Sequence, residues 1–390
     1  MRSGLLAVVP ALFAALATAP QPRAAEPYTI DVLLPLTGPG ALLGTAEQRA
    51  MQQFESVYAK GKEIGGRKLH FSFHDDQSNP QTAVQLANEI IAKKPAVMLG
   101  SALVAMCNAT TPLMRRGPVG YCFSPGIRPA AGGFVFSGSV STKDLGASLL
   151  RYFRMKGWTK LALITSTDAS GQDAARNMHE LFAEPENKEL SLVSEQTFNP
   201  SDISAAAQVE RLKGAQPQAV IAWSTGAAIG IVFKAIQDSG LAVPVATTDG
   251  NQTYATMERF AAILPKELYI PSPEWPISDK IQDEPGVKEA KAQFYAAFQG
   301  TDVKPDNAAA LAWDPTLLIF EALRKLGPDA TAEQLRAYLS GLKGFAGVKG
   351  IYDFPALPQR GLSEDNVVIT SWNPAAQEWT VVSKSRGIPF

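Results

Sequence analysis

An excess of either charge is missing from this chain of 390 residues: 36 basic side chains stand against 37 acidic ones, a formal net charge of −1. With no basic stripe either, an electrostatic nucleic-acid binder is excluded, and the balance bears on solubility rather than on a partner. Histidine is scarce, limited to His70, His74 and His179. None sits in an H-E-x-x-H helix. His70 and His74 share parity on a strand-like run near Asp76, so a metal site can be drawn there, but a solvated or satisfied strand face is the preferred reading. There is no G-x-x-x-x-G-K-[ST] phosphate loop and no G-x-S-x-G elbow. Ser124-Pro-Gly lacks a following helix and a His partner. The nearest approach to a dinucleotide loop is Gly38-Pro-Gly-Ala-Leu-Leu-Gly44, spaced G-x-G-x-x-x-G. Its ribose-binding acid should come about 20 residues on, whereas Asp75 and Asp76 lie more than 30 past Gly44. No cofactor is expected, and no enzymatic chemistry.

Long apolar runs are also lacking, with one exception. Residues 4–19 carry no charge and follow Arg2, and Arg23-Ala-Ala25 offers small residues for cleavage. This is the pattern of a secretory leader over residues 1–25. Pro20 disfavours a cut after Ala19. The run is too short for a membrane span, and no cysteine follows it for acylation, so the mature chain is expected to be free rather than a lipoprotein. Loss of Arg2 and Arg23 moves the net charge from −1 to −3. Only two cysteines occur, Cys107 and Cys122, 15 positions apart. In an oxidising compartment they could close a loop worth about 3 kcal/mol. Two buried thiols are the alternative, since Cys107 lies in a helix-like run and Cys122 in a strand-like one.

The remaining residues, 46% apolar over the whole chain, suffice for two domains. Strand-like and helical runs alternate. Residues 29–35 read as a strand, 45–60 as a helix and 69–74 as a strand. Asn79 is placed to cap a helix that opens at Pro80. Strands follow at 96–99 and 119–123. The order then restarts with helix 145–156, strand 160–165, helix 171–183 and strand 190–197. Asn199-Pro-Ser-Asp202 is read as the cap of a helix through Lys213, followed by strand 219–223, helix 226–239 and strand 243–247. Pro271-Ser-Pro273 to Pro276 and Gly350 to Pro358 read as crossings, with helices near 288–299 and 307–325 between them and strands at 366–372 and 379–383 closing the chain. This predicts an α/β fold of two doubly wound, parallel-sheet lobes. Any ligand belongs in the cleft at the carboxyl ends of the strands.

Pro35-Leu-Thr-Gly-Pro-Gly-Ala-Leu-Leu-Gly44, Ile64-Gly-Gly-Arg67 and His74-Asp-Asp-Gln-Ser-Asn-Pro80 resemble the type I periplasmic solute-binding proteins. More narrowly, they resemble the branched-chain amino acid (Leu/Ile/Val) binding group of ABC importers. Leu99-Gly-Ser101, Phe123-Ser-Pro-Gly126, Phe134-Val-Phe136, Gly157-Trp-Thr-Lys-Leu-Ala-Leu-Ile164 and Gly240 before Pro244 continue the match over essentially the whole mature chain. The resemblance implies a three-segment hinge between a first lobe (26–143 and 272–352) and a second (144–271 and 353–390). It also implies a periplasmic monomer that performs no chemistry, closes on a small molecule and docks on an inner-membrane ABC permease. A sensor of the same fold acting in signalling is the alternative.

Carried over position by position, Leu43 stands where relatives often have an aromatic wall. Ser101, Ala102 and Val104 form the third-strand loop, with Val104 at the place of a ligand-binding serine. In the fourth-strand loop, Ser124 to Arg128, Arg128 replaces a carboxylate-binding threonine. Ser170-Gly171 matches an aromatic-Gly pair without the aromatic, Trp223-Ser-Thr225 follows a strand of the second lobe, and Asp249-Gly250 matches the acid that holds an amino group. Arg128 would supply a charge-assisted carboxylate contact. The implied ligand bears a carboxylate: an amino acid bridging Arg128 and Asp249, or an aromatic acid stacked on Trp223. Arg128 as a solvated loop residue, Asp249 as a turn former, and Trp223, Leu42 and Leu43 as core are the alternatives.

Overall fold

The computed structural model describes residues 25–390, so the expected leader, apart from Ala25, lies outside the described residues. The chain runs β1 (Tyr28–Leu34), α1 (Ala41–Gln53), β2 (Leu69–Asp75), α2 (Pro80–Ala92), β3 (Val97–Gly100), α3 (Val104–Thr110), β4 (Val119–Cys122) and β5 (Val135–Ser137). These strands form one parallel sheet in the order β2-β1-β3-β4-β5. Next come α4 (Thr142–Met155), β6 (Lys160–Ser166), α5 (Ala169–Phe182), β7 (Ser191–Phe198), α6 (Ala206–Gly214), β8 (Ala219–Trp223), α7 (Ile229–Ser239), β9 (Val245–Ala246), α8 (Tyr254–Arg259) and β10 (Leu268–Pro273). The chain returns to the first lobe for α9 (Pro285–Phe298), α10 (Asn307–Leu326), α11 (Ala332–Ser340) and the hairpin β11 (Lys343–Gly347) with β12 (Gly350–Asp353). It ends with β13 (Val367–Asn373) and β14 (Glu378–Val381) in the second sheet, ordered β14-β13-β10-β9-β8-β6-β7. The chain therefore crosses between the lobes three times, and the α/β architecture of two parallel-sheet lobes is as expected.

Strands covered on both faces must be apolar throughout. Ala219–Trp223 obeys this, with every residue buried. Helix starts are set by local chemistry. Asn79 Oδ1 accepts from the main-chain N–H of Gln81 and Thr82, with Pro80 next in line, which needs no such partner. Ser141 and Asp144 form a reciprocal capping box at α4.

Several boundaries differ from the sequence reading. α1 begins at Ala41 rather than at residue 45, so the glycine-rich loop is partly helix. Gly44 is small because a Cβ there would meet the Pro35 carbonyl oxygen at 2.4 Å. Asn199-Pro-Ser-Asp202 caps no helix. Asn199 N–H donates to Asp202 Oδ2 and Ser201 N–H to Asn199 Oδ1, a self-contained turn, and α6 opens only at Ala206. Gly350 to Asp353 is a paired strand, so the third crossing follows it rather than starting there. Thr142 and Lys143, assigned to the first lobe, open α4, which packs on β10 and β13 of the second sheet. Ser272 and Pro273 remain paired with Val368 and Val367, so that lobe boundary falls later.

Cys107 and Cys122 are joined in a disulfide with Cα atoms 6.1 Å apart, which sets aside the two-thiol alternative. It ties α3 to β4. Among the described residues, no helix is long and apolar enough to cross a membrane.

Candidate ligand site

Both sheets wind alike. In the first, β1 and β3 are neighbours whose following helices diverge, and in the second, β6 and β8 are. A crevice opens at the carboxyl ends of such strands. The two crevices face each other across a cavity of about 200 Å³. The first lobe supplies Pro39 to Leu43 after β1, Ala102 to Met106 after β3 and Phe123 to Gly126 after β4. The second supplies Asp168 to Ser170 after β6, Trp223 and Thr225 after β8, and Thr248 to Gly250 after β9. Leu311 of α10, Thr142 of α4, Ser78, Pro80 and Pro200 complete the lining.

Apolar groups dominate: Leu43, Leu103, Val104, Phe123, Trp223 and Leu311. Hydroxyls come from Ser78, Ser124, Thr142, Ser170, Thr225 and Thr248, with Ser170 Oγ and Thr225 Oγ1 3.0 Å apart. Among the described lining residues the only charged ones are Asp168 and Asp249. Asp168 Oδ1 accepts from Gly171 N–H and Ser166 Oγ–H and so caps α5. Asp249 is different. It is buried, Thr248 Oγ1 donates to its Oδ1 at 3.0 Å, and its Oδ2 has no protein partner. Burial pushes its pKa up to about 6, against the opposing hydrogen bonds of Thr248 and Gly250 N–H, the charge of Lys349 and the nearby Asn307 side chain.

Asp75 and Asp76 shape the entrance rather than face the cavity. Asp75 Oδ1 accepts from the N–H of Leu36, Thr37 and Gln77, fixing the β1–α1 loop. Cross-lobe contacts hold the cavity shut. Ala227 N–H donates to the Pro39 oxygen at 3.1 Å, and Asn307 Nδ2 donates to the Asp249 oxygen at 2.8 Å.

Of the residues singled out in sequence, Leu43, Ala102, Val104, Ser124, Ser170, Trp223, Thr225 and Asp249 meet at the cavity. Trp223 and Leu43 are also buried, so wall and core are one role here. Two residues do not reach it. Ser101 is buried and donates its hydroxyl to Asp76 Oδ2 at 2.5 Å, a structural bond beneath the loop. Arg128 follows buried Ile127, which turns it outward. Its Nη2 donates to Asn177 Oδ1 at 3.0 Å and its Nε lies 3.7 Å from Asp173 Oδ1. The expected Arg128–carboxylate contact is therefore overturned.

His74 Nε2 lies 2.7 Å from Asp31 Oδ1 and His70 Nδ1 lies 3.0 Å from Glu55 Oε1. Both are satisfied on their strand. Among the described residues no His, Cys, Asp and Glu group could hold a metal ion.

Sequence reasoning missed Asp168, Phe123, Thr142 and Leu311, whereas Leu103 lies within the loop Ser101 to Val104 that it brought to the site. Asp168 had a signal, an acid between a strand and a helix. Leu311 had none, because it arrives from a helix more than 60 residues beyond the other loops.

The periplasmic binding protein family model matches residues 27–376. The chain belongs to that family. Solved structures agree in fold. An extracellular ligand-binding receptor from Rhodopseudomonas palustris HaA2 superposes with a TM-score of 0.78 at 20% identity, over 89% of this chain and 97% of that one. The branched-chain amino acid transporter substrate-binding protein LivJ from Streptococcus pneumoniae, in complex with isoleucine, gives 0.75 at 19% identity, over 91% and 99%. A solute-binding protein of an R. palustris ABC transporter, in complex with benzoate, gives 0.74 at 20% identity, over 93% and 97%. No curated protein sequence matches. The family carries a periplasmic, solute-binding receptor fold, and this chain's cavity lies between its two lobes at the carboxyl ends of the strands.

Proposed function

We propose that this protein is the periplasmic receptor of an ABC importer, closing on an amino acid with an apolar side chain and delivering it to a membrane permease. The single observation that carries the ligand class is Asp249, a buried acid that lines the cavity and whose Oδ2 accepts no hydrogen bond from the protein. An ammonium group supplies the missing charge and donors. The carboxylate end would meet Ser124, Ser170 and Thr225 hydroxyls, and the side chain would lie against Leu43, Leu103 and Trp223. An aromatic monocarboxylate fits less well. Its charge would be buried beside Asp168 and Asp249 with no cationic side chain lining the cavity, a cost without compensation.

The test is titration calorimetry of the mature protein with isoleucine, leucine, valine and benzoate, repeated on Asp249→Asn. Truncating one partner of a buried charge pair costs about 2–5 kcal/mol, so the variant should lose on the order of 30-fold or more for the amino acids. Benzoate binding that survives in Asp249→Asn, with no amino acid bound by wild type, would overturn the ligand class.

A further inference from the structure

We infer that Arg128 is a positioning residue that clasps the lobes shut, governing how long a bound solute is retained without touching it. The inference rests on the reading that the protein works by lobe closure. Arg128 extends from the loop after β4, in the first lobe, while both its partners lie on α5, which belongs to the second. Asn177 is prepared to accept. Its Nδ2 donates to the Asp173 main-chain oxygen at 2.7 Å, leaving Oδ1 to receive Arg128 Nη2. Asp173 is buried and is held independently by Arg176 Nη2 at 2.8 Å, so its carboxylate stays in place whether or not Arg128 is there.

The loop lets Arg128 reach across because Gly126 leaves no side chain in between. A Cβ at Gly126 would stand 3.3 Å from Asp173 Oδ2 and 2.7 Å from Val104 Cγ2. Arg128 lines a separate small cavity of about 160 Å³ that shares only Pro125 and Thr142 with the ligand cavity. The clasp is therefore adjacent to the solute and chemically separate from it. The half-exposed Arg128 guanidinium lies beside Ser141 to Lys143, at the first crossing between the lobes. An opening that carries α5 away from the β4 loop must break the clasp, so its contribution belongs in the dissociation rate rather than in ligand choice.

The test compares wild type with Arg128→Ala, Asn177→Ala and the double variant. Stopped-flow tryptophan fluorescence with isoleucine as the probe gives association and dissociation rates. Arg128→Ala and Asn177→Ala should each raise the dissociation rate by on the order of tenfold, leave association within about twofold, and preserve the ranking of amino acids. The double variant should be no worse than Arg128→Ala alone. An unchanged dissociation rate, or an altered ranking, overturns the clasp.

A ligand-free measurement separates this from the ligand assignment. With spin labels at Asn88→Cys and Glu210→Cys, on exposed positions of α2 and α6, pulsed-EPR distances should lengthen in Arg128→Ala. If isoleucine fails to bind wild type, the ligand class falls and the distances still decide the clasp. Identical distance distributions in wild type and Arg128→Ala overturn it.

Discussion

Asn307 Nδ2 donates to the main-chain oxygen of Asp249 at 2.8 Å, so the first turn of α10 in one lobe grips the acidic loop of the other. The contact uses the backbone of Asp249, one of the residues that line the cavity. Asp249 is thus held through its main chain, while its buried Oδ2 accepts no hydrogen bond from the described residues.

Ligand affinity should depend on pH through Asp249. Its carboxyl is pushed up to about 6 by burial, and an ammonium ligand binds only the ionised form. Amino acid affinity should be flat above about pH 7 and fall as the pH drops through 6, by up to about tenfold per unit. Calorimetry at pH 5, 6 and 8 checks this, and a flat profile would remove Asp249 as the ammonium partner.

The same group should cost stability when no ligand is present. A folded-state pKa of about 6, above the ordinary carboxyl value of 3.8, means that the protonated form is favoured on folding. The stabilising contribution is full below 3.8 and is lost as pH rises through about 6. Asp249→Asn, which cannot ionise, should therefore melt higher than wild type at pH 8, with the two converging near pH 4. The upper bound at pH 8 is about 3 kcal/mol. Thermal melts of both proteins at the two pH values decide the matter.

Gly226 sits at the cross-lobe contact with φ +82°, and a Cβ there would meet the Pro39 oxygen at 2.5 Å. Gly226→Ala should keep a folded protein, at a cost of about 1–2 kcal/mol for the left-handed backbone. It should also hold the lobes apart and weaken ligand binding by tenfold or more. Melting temperature and calorimetric affinity, read together, test this. Wild-type affinity in the variant would show that the Pro39 approach is dispensable.

Reducing the Cys107–Cys122 bridge should lower stability by about 3 kcal/mol, from the 15-residue separation that it closes. Because the bridge anchors α3, whose first turn lines the cavity, affinity should fall as well. Melts and titrations with and without reductant measure both effects.

What was legible in sequence was what local chemistry dictates. Asn79 before Pro80 could only cap a helix, and Ala219–Trp223 could only be a strand buried on both faces. Asp249 was singled out only through the family resemblance, since an acid before Gly250 reads locally as a turn former. Arg128 was misplaced because its partners lie on α5, 49 positions away in the case of Asn177. No local pattern announces such a pairing. The start of α1 was misread for a related reason. Gly44 is small to admit the Pro35 carbonyl, a packing demand that looks in sequence like a loop.

Both sheets share one winding order, β2-β1-β3-β4-β5 in the first and β7-β6-β8-β9-β10 in the second. Opposite faces of the cavity are therefore built by the same rule from unrelated sequence. The loops on one side of the cavity can thus be altered while the winding that builds the other side stays intact.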